Sequence, residues 1–225
     1  MMNYQIIKDK EAFLKFIDWL PELEANEKFY CCLFARKKYS TNLDLKADKS
    51  QLKRFLSDKA RLYDKVKQLE IELGGYRIRG VEIPQETLAL YINPNPRNLK
   101  KATYDSIIEL TKLLKKDQGG FNPHQEVMSC IQRSVGRKVY LDFDVDTKEF
   151  DFEQLKSIIN PSCLEILQTR GGYHILVKLS AIEPQYKKSF YNNIVALGVD
   201  QTGDQLLPVQ GCTQGGFIPR FIGID

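Results

Sequence analysis

The apolar positions of this chain change period several times, and each change predicts an element. Residues 10–20 and 49–73 carry apolar side chains at helical spacing. In the second stretch these are Leu52, Phe55, Leu56, Leu62, Tyr63, Val66, Leu69 and Leu73, and Gly74-Gly75 ends it. Residues 28–35, 76–83 and 86–92 are rich in aromatic and β-branched residues and read as strands. Asn93-Pro94-Asn95-Pro96 reads as a turn or extended loop. Tyr104 to Lys115 is helical again, with Ile107, Ile108, Leu110, Leu113 and Leu114 apolar, and Gly119-Gly120 to Pro123 breaks it. Beyond 137 the pattern gives strand 137–145, helix 151–159, strands 163–168 and 173–179, and helix 185–197. A hairpin of 206–209 with 217–222 follows. Asp151 is placed as a helix N-cap, and Asn160-Pro161 as a stop.

Helices between strands at this spacing predict an α/β (α+β) fold, a mixed sheet with helices on one face and the other face free for a site. The 225 residues suffice for one large domain with a real core. No apolar run approaches the roughly 20 residues of a membrane span. The N-terminus lacks a basic start followed by an apolar run, so an intracellular, cytoplasmic location without membrane association is expected. Five cysteines form no CxxC pair and only two histidines are present, so no zinc is expected. Cys31 and Cys32 should face opposite sides of their strand. The 33 basic and 29 acidic residues give a net charge of +4. That balance permits an anionic partner without requiring one.

Candidate chemistry begins in Arg137–Asp146, RKVYLDFDVD. Strand alternation puts Leu141, Phe143 and Val145 on a core face and Tyr140, Asp142 and Asp144 on the other. Two like charges on one strand face are disfavoured unless a cation lies between them, and paired hard oxygens suit Mg²⁺ or Mn²⁺. Asp146 is assigned to the polar turn that follows. In TRGGYHILVKL (169–179), His174 and Lys178 take the polar face, behind a Thr169-Arg170-Gly171-Gly172 turn able to cradle phosphate oxygens. In the C-terminal hairpin, Asp204 starts one strand and Arg220 lies on the other.

This ordered set resembles the archaeo-eukaryotic primase superfamily, particularly the small primase-polymerases of phages and plasmids. The corresponding residues are Val139-Tyr140-Leu141-Asp142-Phe143-Asp144, then Thr169 to His174, then Asp204. Val199-Asp200 also fits the third, apolar-Asp element, and Thr169 stands where serine is usual. The resemblance covers roughly residues 137–222, and FARKKYS and LYINPNPRNLKKA look like the family's N-terminal module. It implies one primase-polymerase catalytic domain over 1–225, with an N-terminal α/β module (about 1–136) and an RRM-like module (137–225). The implied reaction is nucleotidyl transfer to a 3′-hydroxyl on a single-stranded DNA template, using nucleoside triphosphates and two divalent ions. Asp142, Asp144 and Asp204 (Asp200 as the alternative) would hold the metals. Thr169, Arg170, His174, Lys178 and Arg220 would contact the nucleotide. Arg36, Lys37, Lys38 and Arg97 are the candidates for template phosphates, with Tyr39 stacking on a base. A separate replicative helicase is a partner the resemblance allows. A metal-dependent nuclease and a non-catalytic nucleic-acid-binding module are the competing readings.

Overall fold

A strand buried on both faces organises the N-terminal half. In the computed structural model, which describes residues 2–40, 46–114, 122–201 and 206–223, β1 spans Glu27–Arg36. Its Phe29, Cys31, Leu33 and Ala35 enter one core, while Tyr30, Cys32 and Phe34 enter another. Burial on both sides explains the nearly continuous apolar run FYCCLFA. The first core is covered by α1 (Lys10–Trp19), through Phe13, Phe16 and Ile17, and by α2 (Lys59–Lys67), through Leu62 and Val66. The opposite face takes Ala102 of α3 (Leu99–Leu114) and Ile131 of α4 (Pro123–Arg133).

The 49–73 stretch is not one helix. Lys49–Ser57 forms β2, antiparallel to β1, and only Lys59–Lys67 is helical, started by the Asp58 carboxylate accepting from the Arg61 N–H. Leu52, Phe55 and Leu56 satisfy helical spacing, but pairing with β1 outweighs a propensity worth only tenths of a kcal/mol per residue. The 76–83 strand is likewise a small hairpin of β3 (Arg77–Ile78) and β4 (Val81–Glu82), turned at Arg79-Gly80. α3 begins five residues before the expected Tyr104 and leaves Tyr104, Ile107, Ile108 and Leu114 exposed. α4, not anticipated, is capped by Asn122 with Pro123 in its first turn.

The chain then completes β5 (Leu88–Ile92) and the short β6 (Arg97–Asn98) before entering β7 (Tyr140–Val145). α5 (Phe152–Ile158), β8 (Leu164–Gln168), β9 (Tyr173–Lys178) and α6 (Phe190–Val195) follow. Three short strands end it: β10 (Asp200–Gln201), β11 (Leu207–Pro208) and β12 (Arg220–Ile222). The architecture is mixed α/β with two principal antiparallel sheets, ordered β11-β5-β1-β2 and β10-β7-β9-β8-β12. α5 and α6 pack on the outer face of the second sheet through Leu155, Phe190 and Ile194. The inner face is not free: Tyr140, Leu167 and Leu176 bury in the first sheet's core. The Asp144–His174 end of that face opens to a cleft.

The expected C-terminal hairpin does not form. β11 joins the first sheet beside β5, and β12 joins the second beside β8. Leu207 and the Phe221 ring enter the same core, Phe221 against Phe16 and Trp19, so the connecting residues strap the sheets together. A second tie is Asn95, whose carboxamide oxygen accepts from the Val139 and Tyr140 N–H groups (2.7 and 2.9 Å) and whose nitrogen donates to the Tyr140 carbonyl. It thereby docks the start of β7 onto the Asn-Pro-Asn-Pro loop. Among the described residues no helix is long and apolar enough to cross a membrane.

Candidate functional site

The antiparallel register of β7 and β9 sets Asp144 directly across from His174 and Asp142 across from Leu176. Cross-strand partners share a face, so Asp142, Asp144 and His174 meet on the inner face. Asp142 has no exposed surface, and its carboxylate accepts the His174 Nδ1–H at 2.8 Å. A carboxylate can only accept, so this bond puts the proton on Nδ1 and turns Nε2 toward Asp144, 3.8 Å away. Burial alone would lower the His174 pKa. The adjacent Asp142 charge and hydrogen bond outweigh it, Asp144 and Asp146 add to them, and the imidazole is raised above its ordinary value. Asp144 is also raised: burial is the largest cause, His174 opposes it, and Asp146 and Asp142 add like-charge repulsion.

The β8–β9 turn supplies the next wall. The Thr169 N–H donates to the Gly172 carbonyl (2.8 Å), and the Gly172 N–H donates to Thr169 Oγ1 (3.2 Å). Gly172 is obligatory here, because a Cβ on it would lie 1.8 Å from the Val145 carbonyl oxygen. The closed turn leaves Thr169, Arg170 and Gly171 lining a cleft of about 510 Å³ with Asp144, Asp146 and His174. Facing them, from the first sheet and the turn after it, are Arg36, Lys38, Tyr39, Lys49 and Tyr91. Arg36 is aimed by two partners: it donates to the Tyr91 hydroxyl (2.9 Å) and pairs with Asp48 (2.8 Å). The Arg170 guanidinium lies over the Tyr39 ring, 4.6 Å from its centroid. One side of the cleft thus carries carboxylates and a histidine, and the other carries cations.

Several sequence expectations take different places. Asp146, assigned to the turn, lines the cleft, since the alternation through 142 and 144 continues to it. Lys178 is exposed, pairs across β7 with Tyr140 and lies outside the cleft lining. It lies four positions from His174, roughly 13 Å along a strand. Arg220, on β12, donates to the Gln168 side chain (2.9 Å) and also lies outside it. Arg97 is only 3% exposed, beside β1, which removes it from any template surface. Arg36 and Lys38 are in the cleft with the carboxylates, whereas the exposed Lys37 is not part of its lining. Asp204 falls outside the described residues, while the alternative, Asp200, sits on β10 directly across from Asp144 but is exposed and, like Lys178 and Arg220, lies outside the cleft lining. Gln214, Lys49, Tyr91, Leu206 and Pro208 line the cleft without having been anticipated. Lys49 was hidden by the helical reading of β2, and the others come from strands and a strap that only tertiary pairing brings together.

The donors facing the cleft from β7 are carboxylate oxygens, which suits a hard divalent cation. Among the described residues no three histidine, cysteine, aspartate or glutamate side chains already converge on one point. No family model, curated protein or solved structure matches the chain.

Proposed function

We propose that the protein is a template-directed nucleotidyltransferase of the archaeo-eukaryotic primase type, making or extending primers on single-stranded DNA from nucleoside triphosphates. One observation carries this reading: a single cleft apposes Asp144 and His174 to the Thr169–Gly171 turn and to Arg36, Lys38 and Lys49. A substrate with a polyanionic tail and a reacting phosphorus needs both kinds of wall. A nuclease would have less use for cations beyond the scissile phosphate.

Asp144 and Asp146, which line the cleft, would hold the divalent cation, with Asp200, exposed on β10 across from Asp144, as the third carboxylate. Bound there, Mg²⁺ or Mn²⁺ would lower the pKa of the attacking hydroxyl and neutralise charge on the leaving pyrophosphate. Asp142 serves chiefly as the brace that orients His174 and favours its charged form. His174 then offers its Nε2–H to a phosphate oxygen. The Thr169, Arg170 and Gly172 N–H groups are already donated within the turn and to Gln214, so the Arg170 guanidinium grips the rest of the tail, and Arg36 and Lys38 neutralise it from the opposite wall. These residues contribute position and charge, the main catalytic terms in phosphoryl-type transfer.

The test is incubation of single-stranded template with labelled nucleotides and Mg²⁺ or Mn²⁺, with and without a primer. Primer-independent product establishes priming, and extension alone establishes a polymerase. Release of nucleotides from DNA without triphosphate consumption overturns the reading in favour of a nuclease.

A further inference from the structure

We infer that Gln214 is a positioning residue, which acts on the phosphate tail by fixing the Arg170 turn from the opposite sheet. The inference rests on the nucleotidyltransferase reading of the cleft. Gln214 lies in the strap between β11 and β12, is 5% exposed and lines the cleft. Its Oε1 accepts the Arg170 backbone N–H at 2.9 Å. The strap backbone is itself fixed: Gln214 exchanges hydrogen bonds with Phe217 and bridges Ala89, and the Gly215 N–H donates to the Leu88 carbonyl at 2.8 Å. Next to it, the Gly215 carbonyl accepts from the Arg170 guanidinium.

Gly215 has φ +61°, and a Cβ there would lie 2.3 Å from the Tyr39 ring and 2.6 Å from Arg170 Nη1. The strap therefore needs glycine at 215 for Tyr39 and Arg170 to stack. Arg170 is thus held at three points: its amide by Gln214, its guanidinium by the Gly215 carbonyl, and its flat face by Tyr39. All three holds come from outside the sheet that bears Arg170. The carboxamide oxygen of Gln214 is the part that a single substitution removes with little change of shape.

Binding of inorganic tripolyphosphate in EDTA, measured by calorimetry, tests this without turnover. Gln214→Met keeps the length and removes the acceptor, and should weaken binding about ten-fold, in line with one lost hydrogen bond at ~1.4 kcal/mol. Arg170→Ala should weaken it at least as much. The double variant should lose less than the two single losses combined, because the share of the Gln214 effect that runs through the guanidinium is already gone, although the residue-170 N–H remains for Gln214 to hold. Wild-type binding by Gln214→Met, or a full second loss in the double variant, overturns the inference. If Arg170→Ala itself binds as wild type, the phosphate role of the turn fails instead. Should Gln214→Met not fold, Gln214→Glu retains an acceptor and strengthens it. The Arg170 amide proton must then move downfield in the NMR spectrum, and an unmoved resonance rejects the contact.

Discussion

Replacing Gly172 by alanine probes the closest backbone approach in the site. The new Cβ would meet the Val145 carbonyl oxygen at 1.8 Å and the Thr147 carbonyl oxygen at 2.8 Å, where ordinary contacts are about 3.4 Å. Both obstacles are backbone, so no rotamer change relieves them. Either the β8–β9 turn or the end of β7 must move by more than an ångström. Overpacking of this kind costs about 1–3 kcal/mol, or roughly 2–12 °C in Tm for a chain of this length. Val145 lies between Asp144 and Asp146, so the displacement reaches the carboxylates directly. A shift of about 1 Å in a catalytic group costs on the order of 100-fold in rate. Nucleotide incorporation should therefore fall about 100-fold while the variant remains folded below its lowered Tm. Gly171 is the internal control, since a Cβ there has nothing within 4 Å, and Gly171→Ala should keep the wild-type Tm. Equal melting temperatures for the two variants, with incorporation intact in Gly172→Ala, would refute the steric reasoning.

Three further outcomes are expected. Asp200→Ala should abolish incorporation as thoroughly as Asp144→Ala, a loss of at least 100-fold in kcat, whereas Asp204→Ala should retain most of it; the reverse ranking would move the third carboxylate to Asp204. Lys38→Ala should raise the KM for nucleotide several-fold and leave template affinity, measured by fluorescence anisotropy, near wild type; weakened template binding alone would return Lys38 to the template. Glu27, 4% exposed and paired with Arg137 at 3.0 Å, has its carboxyl held below the usual range. Burial pushes it up, but the Arg137 hydrogen bonds and the Glu24 N–H outweigh that. A depressed pKa stabilises the fold above the unfolded value near 4.5, and the benefit is lost as pH falls through the folded value. Glu27→Gln should thus melt lower than wild type at pH 7, and the gap should narrow below pH 4.5; a pH-independent gap would contradict the linkage.

Much of the site was legible because strand alternation is a local rule. Period-2 spacing put Asp142 and Asp144 on one face and His174 on the matching face of a neighbouring strand, and the register adds that Asp144 and His174 are direct partners. The same rule, followed one step further, reaches Asp146. Spacing does not reveal depth. Asp142 and Asp144 looked equivalent, yet Asp142 is fully buried and bound to His174 while Asp144 opens to the cleft. Arg36, Lys38 and Arg97 were one class of surface cation in the sequence, and burial separates them into two cleft residues and a core one.

Local pattern by itself determined the β7 and β9 strands, the Thr169–Gly172 turn and the opposite facing of Cys31 and Cys32, since each depends on neighbours within a few residues. Tertiary structure alone decided three things. Lys49–Ser57 became a strand because β1 offers it backbone partners that helical spacing cannot outweigh. The C-terminal strands parted to different sheets because each finds its backbone partners on a different strand, β11 on β5 and β12 on β8, while Leu207 and Phe221 share one core. The cleft acquired its cationic wall because that parting, with the Asn95 dock, holds the first sheet against the carboxylate end of the second. Contacts between residues 36 and 170, or 170 and 214, leave no periodic trace in a sequence, because their energy depends on distance in space and not along the chain.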